Sequence, residues 1–126
     1  MDKIKTFEEA CAALGISTAL PEVSMLPEAE QKAIVAHYKL TVIAKALNEG
    51  WKPDWSNDDE YKYYPWFDVE EDAAKPSGFG LSYGGYVGTD LYTFIGSRLC
   101  FKSRELAKYA GEQFTDLYEE YFLINK

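Results

Sequence analysis

Tyr61-Lys62-Tyr63-Tyr64-Pro65-Trp66-Phe67-Asp68-Val69 is the stretch on which the fold turns. Tyr61, Tyr63, Phe67 and Val69 alternate with Lys62, Tyr64, Trp66 and Asp68, a period of two that puts the two sets on opposite faces of a strand. Pro65 has no N–H to give to a ladder, so it marks an edge or a bulge. Aromatic rings fall on both faces. Helices covering one face would leave the other as a second contact surface.

Downstream the chain stays strand-like. Residues 70–77 are a polar turn region. Phe79, Leu81 and Tyr83 then alternate with Gly80, Ser82 and Gly84, which reads as a half-buried strand. Gly84, Gly85 and Gly88 predict a flexible turn. Residues 91–95 read as a third strand, broken by Gly96 and Ser97. Leu99 and Phe101 mark a short fourth.

Upstream the period changes to that of a helix. Thr6 with Glu9 forms a capping box ahead of the stripe Phe7, Ala10, Cys11 and Leu14, and Gly15 stops the helix. A second, longer helix begins at Pro27, with Glu28 and Glu30 in its first turn where the helix dipole favours anions. Its stripe runs Ile34, Val35, Tyr38, Val42 and Ala46, widened by Leu40, Ile43 and Leu47, and Gly50 ends it. About 22 residues make a rod of roughly 33 Å. Residues 51–60 are a loop by their turn chemistry. At the other end Ser103 caps a last helix with the stripe Leu106, Ala110, Phe114, Leu117 and Tyr121.

Helices and strands are segregated along the chain. The expected fold is therefore α+β: N-terminal helices, an antiparallel three- to four-stranded meander sheet, and a long C-terminal helix packed on one face. Residues 1–126 form a single domain, helical over 1–50, an aromatic and acidic sheet region over 51–102, and the C-terminal helix over 103–126. Ile34, Tyr38, Val42, Leu106, Ala110, Phe114 and Leu117 are expected to pack together against one sheet face.

The 126 residues suit one ordinary domain, and 47% hydrophobic with 27% charged residues supports a compact core. The net charge is −8, which argues against partners that need a basic footprint, duplex nucleic acid and anionic membranes. No run reaches the length of a membrane span, the N-terminus lacks the long apolar stretch of a signal peptide, and Cys11 and Cys100 read as buried reduced thiols. The expected location is cytoplasmic. Charge is uneven: residues 51–94 hold nine acids and three bases, and twelve of the twenty aromatic residues.

Motifs for chemistry are weak. His37 has Ala33, Ile34, Leu40 and Thr41 as turn neighbours, so no ligand or carboxylate stands one turn away. Asp54-x-Ser56-x-Asp58 opens like a calcium loop, but Asp59 stands where the loop needs glycine and Pro65 where it needs a bidentate glutamate. Gly78-x-Gly80 with Gly84-Gly85 lies among strands without the following helix that a phosphate cradle requires, so these read as hairpin glycines. There is no Gly-x-Ser-x-Gly. Neither a cofactor nor a metal is expected, and catalytic residues are not assigned.

The aromatic middle carries the main functional expectation. Trp51, Trp55, Tyr64 and Trp66 form a candidate protein-contact site, since tryptophan and tyrosine anchors dominate binding energy at interfaces. Asp58, Asp59 and Glu60 would steer a basic partner and keep the patch soluble. The competing reading is a small satellite core beneath the 51–60 loop. Stacking of single-stranded bases uses similar rings but wants lysine and arginine for the backbone.

Trp51-Lys-Pro-Asp-Trp55, residues 97–107 (Ser-Arg-Leu-Cys-Phe-Lys-Ser-Arg-Glu-Leu-Ala) and Gln113-Phe-Thr-Asp-Leu-Tyr118 resemble the phrasing of a family of small phage and prophage proteins from gut bacteria. The resemblance spans roughly residues 45–123. It implies a phage-derived accessory or structural protein, with no assigned activity and no site residues to carry across. The expected function is non-enzymatic protein–protein contact, with a protein partner or self-association. The alternatives are a small-ligand binder or enzyme with a pocket beside the aromatic loop, and a mimic of nucleic-acid charge.

Overall fold

The computed structural model describes residues 4–124. The chain runs α1 (Phe7–Leu14), α2 (Glu28–Asn48), β1 (Lys62–Glu71), β2 (Phe79–Asp90), α3 (Arg104–Gln113) and α4 (Thr115–Phe122). The α+β class is therefore as the sequence indicates. The sheet is smaller: one antiparallel hairpin of β1 and β2.

The helix ends follow local chemistry. Thr6 Oγ1 accepts from the Glu9 N–H at 3.1 Å, and Glu9 Oε1 accepts from the Lys5 N–H at 3.2 Å. Gly15 takes a left-handed φ of 69°, and the N–H groups of Gly15 and Ile16 close on the carbonyls of Ala12 and Cys11. α2 ends through two left-handed residues, Glu49 at φ 49° and Gly50 at φ 87°.

β2 is longer than expected. Gly84, Gly85 and Gly88 do not form a turn; they lie inside the strand. Trp66 faces Tyr86 while Phe67 faces Tyr83, so Gly84 and Gly85 bulge out of the ladder. Gly85 has φ 83°, which a glycine adopts at little cost. Pro65 is tolerated beside this bulge. The N–H and C=O of the next inward residue but one, Tyr63, point away from β2, toward Phe101, and by alternation the missing N–H of Pro65 lies on that same side.

The expected third and fourth strands do not form. Residues 91–98 are turns and bends, and Leu99–Phe101 contributes a single bridge, Tyr63 to Phe101. Phe101 cannot extend the pairing because its flanks are committed elsewhere. On one side the chain turns with the Leu99 N–H on the Gly96 carbonyl; on the other, Ser103 caps α3. The far edge of this segment is closed by Asn48, whose Nδ2 donates to the Cys100 carbonyl and whose Oδ1 accepts from the Lys102 N–H, both at 3.0 Å.

Nor is the C-terminal helix one rod. It breaks at Phe114, which has φ −116° and ψ 29°. The Thr115 hydroxyl donates to the Gly111 carbonyl at 2.7 Å, taking the acceptor that the Thr115 N–H would use in a continuous helix. The break lets α3 and α4 follow the twisted hairpin.

Packing is layered. α3 and α4 cover the inner face of the hairpin, and α2 packs on α4 and α1 behind them. The expected cluster of α2 residues on the sheet is therefore corrected: Ile34 is 44% exposed, and Val42 joins a helical core instead. Phe7, Cys11, Leu40, Ile43, Leu47, Leu99, Phe101, Leu106, Ala110, Phe114 and Tyr118 form that core. α3 meets the sheet at Gly111, where a Cβ would lie 2.7 Å from both Pro65 Cβ and Tyr83 Cδ1. Only a residue without a side chain permits this approach.

Candidate contact site on the outer face of the hairpin

The loop over residues 51–60 closes around a cation of its own chain. Lys62 is fully buried. Its Nζ donates to the carbonyls of Asp54 at 2.7 Å and Asn57 at 3.3 Å and pairs with Glu60 Oε1 at 3.4 Å. The ammonium also lies 5.0 Å from the centre of the Trp55 ring. Glu60 Oε1 accepts from the Asp54 N–H at 2.7 Å, and Trp55 Nε1 donates to Ser97 Oγ at 2.7 Å. Asp54 Oδ1 accepts from the Ser56 N–H and hydroxyl, at 3.0 and 2.6 Å. These bonds hold the Asp54 carboxyl below its usual range, with the nearby Lys62 charge adding to the effect. What looked like the start of a calcium loop is a peptide collar around a lysine.

This arrangement separates the sequence-derived candidates. Trp55 and Glu60 take part in the collar, and Trp51 is half-buried. Tyr64 is half-buried and lies across Gly88, where a Cβ would come 2.3 Å from Tyr64 Cζ. Asp58 and Asp59 are exposed on the loop. Trp66 alone of the four rings is largely open, at 60% exposure.

Trp66 stands on the outer face of the hairpin. Inner positions are identified by their contacts: Phe67 meets Tyr118 and Phe122, and the Arg104 guanidinium lies over the Tyr63 ring. Tyr64, Trp66, Asp68 and Glu70 therefore point the other way. Directly opposite Trp66 is Tyr86, 67% exposed, with the two rings 6.4 Å apart and nearly perpendicular. Tyr86 escaped sequence reasoning because the glycines around it suggested a turn. The signal that finds it is the spacing Gly80, Gly84, Gly88, which keeps one face of β2 nearly bare. Each of these glycines lies beneath a side chain from the β1 side: Asp72 over Gly80, Asp68 over Gly84 and Tyr64 over Gly88.

The charge of this face has one sign. Across the pairing, β2 offers Ser82 and Tyr86 between glycines, and β1 offers Asp68 and Glu70. Of the three bases in residues 51–94, Lys62 is buried and Lys75 pairs with Glu119 at 3.4 Å, while Lys52 is exposed. The exposed charge on the hairpin's outer face is thus acidic.

Other chemistry-bearing groups lie elsewhere. His37 stacks on Tyr121, with centroids 4.8 Å apart. Cys11 and Cys100 are buried free thiols, and burial, with the Glu8 charge second, pushes the Cys11 thiol up. Among the described residues, no group of three or more His, Cys, Asp and Glu side chains is placed to hold a metal ion, and no helix is long and apolar enough to cross a membrane. A concavity of about 230 Å³ lies between α2, α4 and the segment before α2, lined by Val23, Lys32, Val35, Lys39 and Leu117 among others. None of its lining residues belongs to the aromatic loop or the hairpin. Its volume is below the roughly 300–1,000 Å³ usual for ligand pockets.

No protein-family model matches the chain, and neither a curated protein nor a solved structure matches it.

Proposed function

We propose that this protein works by binding another protein through the outer face of its hairpin, with Trp66 and Tyr86 as anchors. The observation that supports this best is the exposed pair itself. Two large rings, 60% and 67% open, stand opposite each other on rigid strands beside glycines. Rings of this kind gain most of their hydrophobic free energy only when a partner buries them. Strand pairing fixes them in advance, so little ordering entropy is lost on binding. The fully buried Lys62 and its collar stiffen the end of the hairpin from which β1 starts.

The work is done by contact, not by chemistry on a small substrate. A role as a phage accessory or structural protein rests on the sequence resemblance alone. A cytoplasmic setting agrees with two buried free thiols.

The test is a Trp66→Ala, Tyr86→Ala double variant. Its circular dichroism and melting temperature should stay close to those of the parent, because neither ring is part of the core. Proteins captured by the parent and lost by the variant are then bound as purified components, with an expected loss of about 2 kcal/mol or more of affinity. Equal capture by both, or unfolding of the variant, overturns the proposal.

A further inference from the structure

We propose that the partner segment seated on this face carries arginine, its guanidinium stacked on Trp66 or Tyr86 and paired with the Asp68 carboxylate. This rests on the contact function proposed above and names the chemistry of its occupant. The near-perpendicular pair, with an interplanar angle of 84°, sets the edge of one ring against the face of the other. At least one ring face is thereby left toward solvent, and a ring face carries the negative side of the aromatic quadrupole. Asp68 follows Trp66 by two positions on the same face, one strand repeat of about 7 Å away. Its carboxylate is laid over Gly84, with Oδ2 3.1 Å from where a Cβ would be, so it lies low on the sheet beside the rings. Glu70 continues the row.

A planar cation satisfies both features at once. Guanidinium stacks on a ring and grips a carboxylate through two parallel N–H bonds, which a lysine ammonium cannot do. The molecule already sets cations over rings internally: the Arg104 guanidinium lies 5.5 Å from the Tyr63 ring centre on the opposite face, as the Lys62 ammonium lies over Trp55. The outer face itself supplies no cation, since its one base, Lys62, is buried in the collar. A second copy of this chain is a poor occupant. A two-fold interface would bring the acidic face of each copy against the same acidic face of the other, on a chain whose net charge is already −8.

The experiment titrates the isotope-labelled full chain with short synthetic peptides, identical except for arginine, lysine or glutamine at the central positions, and follows backbone and indole resonances. The arginine peptide should move the Trp66 indole and the amides of residues 66–70 and 82–88, binding about tenfold more tightly than the glutamine peptide, with lysine between. Asp68→Asn with Glu70→Gln should remove most of that advantage while leaving the remaining spectrum in place. Equal binding of arginine and glutamine peptides overturns the inference, as does a response confined to Asp58 and Asp59, or a dimer by light scattering that Trp66→Ala dissolves. Should the charge variants keep partner capture that the Trp66→Ala, Tyr86→Ala variant loses, the contact function stands and only the arginine specificity falls. Should that ring variant capture everything the parent does, both fall.

Discussion

The Lys62 ammonium stands 5.0 Å from the centre of the Trp55 indole and closes the loop that carries that ring. The relationship spans only seven residues, and it ties Trp55 to the fold of its own loop. Trp55 stacks on its own lysine and anchors to Ser97, so it is structural. The rings opposite each other that stay largely exposed on the hairpin are Trp66 and Tyr86.

Lys62→Met keeps the aliphatic stem and removes the charge. The carbonyls of Asp54 and Asn57 and the Glu60 carboxylate then lose their shared donor. The variant should lose about 2 kcal/mol in urea unfolding, since hydrogen bonds to a charged group are worth more than neutral ones. Tryptophan emission should shift to the red as Trp55 loosens. An unchanged midpoint would show that the collar holds without its cation.

Asn48→Ala should cost about 2 kcal/mol, because it removes the two hydrogen bonds that the buried Asn48 side chain makes to the Cys100 carbonyl and the Lys102 N–H. Amide exchange in residues 99–103 should accelerate more than in the hairpin tip. Uniform acceleration across the chain would place Asn48 in the general core and not at this seam.

Gly111→Ala and Gly88→Ala should differ, although both sites are crowded. At Gly111 the new methyl meets Pro65 Cβ and a proximal ring atom of Tyr83, neither free to move. Overpacking should outweigh the gain in helix propensity and leave a net loss of about 1–2 kcal/mol. At Gly88 the obstacle is the far end of the Tyr64 side chain and not a Cβ, so the stability loss should be smaller. Comparable losses in thermal unfolding would contradict the distinction.

Burial pushes the Tyr118 phenol well above its ordinary value. The folded chain therefore keeps a proton that the unfolded chain gives up near pH 10. That stabilisation is complete below about pH 10 and is lost as pH rises toward the folded value, at up to about 1.4 kcal/mol per unit. Tyr118→Phe should flatten the alkaline limb of a stability–pH curve and leave the neutral region nearly unchanged. An alkaline limb identical to that of the parent would refute the assignment.

Much of the architecture is written in local chemistry. Thr6 with Glu9, Gly15 and Ser103 mark helix ends because capping involves groups within a few residues of one another. The alternation from Tyr61 to Val69 identified a strand, and its aromatic outer face, from the period of two alone. The acidic balance of residues 51–94 is likewise a property of the sequence.

What the sequence could not settle depended on groups far apart along it. The extent of β2 hung on whether Gly84, Gly85 and Gly88 turn the chain or stay within one strand, with Gly84 and Gly85 as a bulge, and only pairing with β1 decides that. The missing fourth strand follows from Asn48, more than fifty positions upstream, closing the edge of residues 100–102. The helix break at Phe114 combines the local Thr115 hydroxyl bond with the packing of both α3 and α4 on the hairpin. Above all, the sequence places Lys62 on the outer face with Trp66, where it would read as an exposed cation among acids. Its burial in carbonyls and an indole is a tertiary event, and it leaves carboxylates as the charged groups exposed on that face among the described residues. Short-range periodicity and capping fix which elements exist; long-range desolvation and pairing fix which side chains stay exposed.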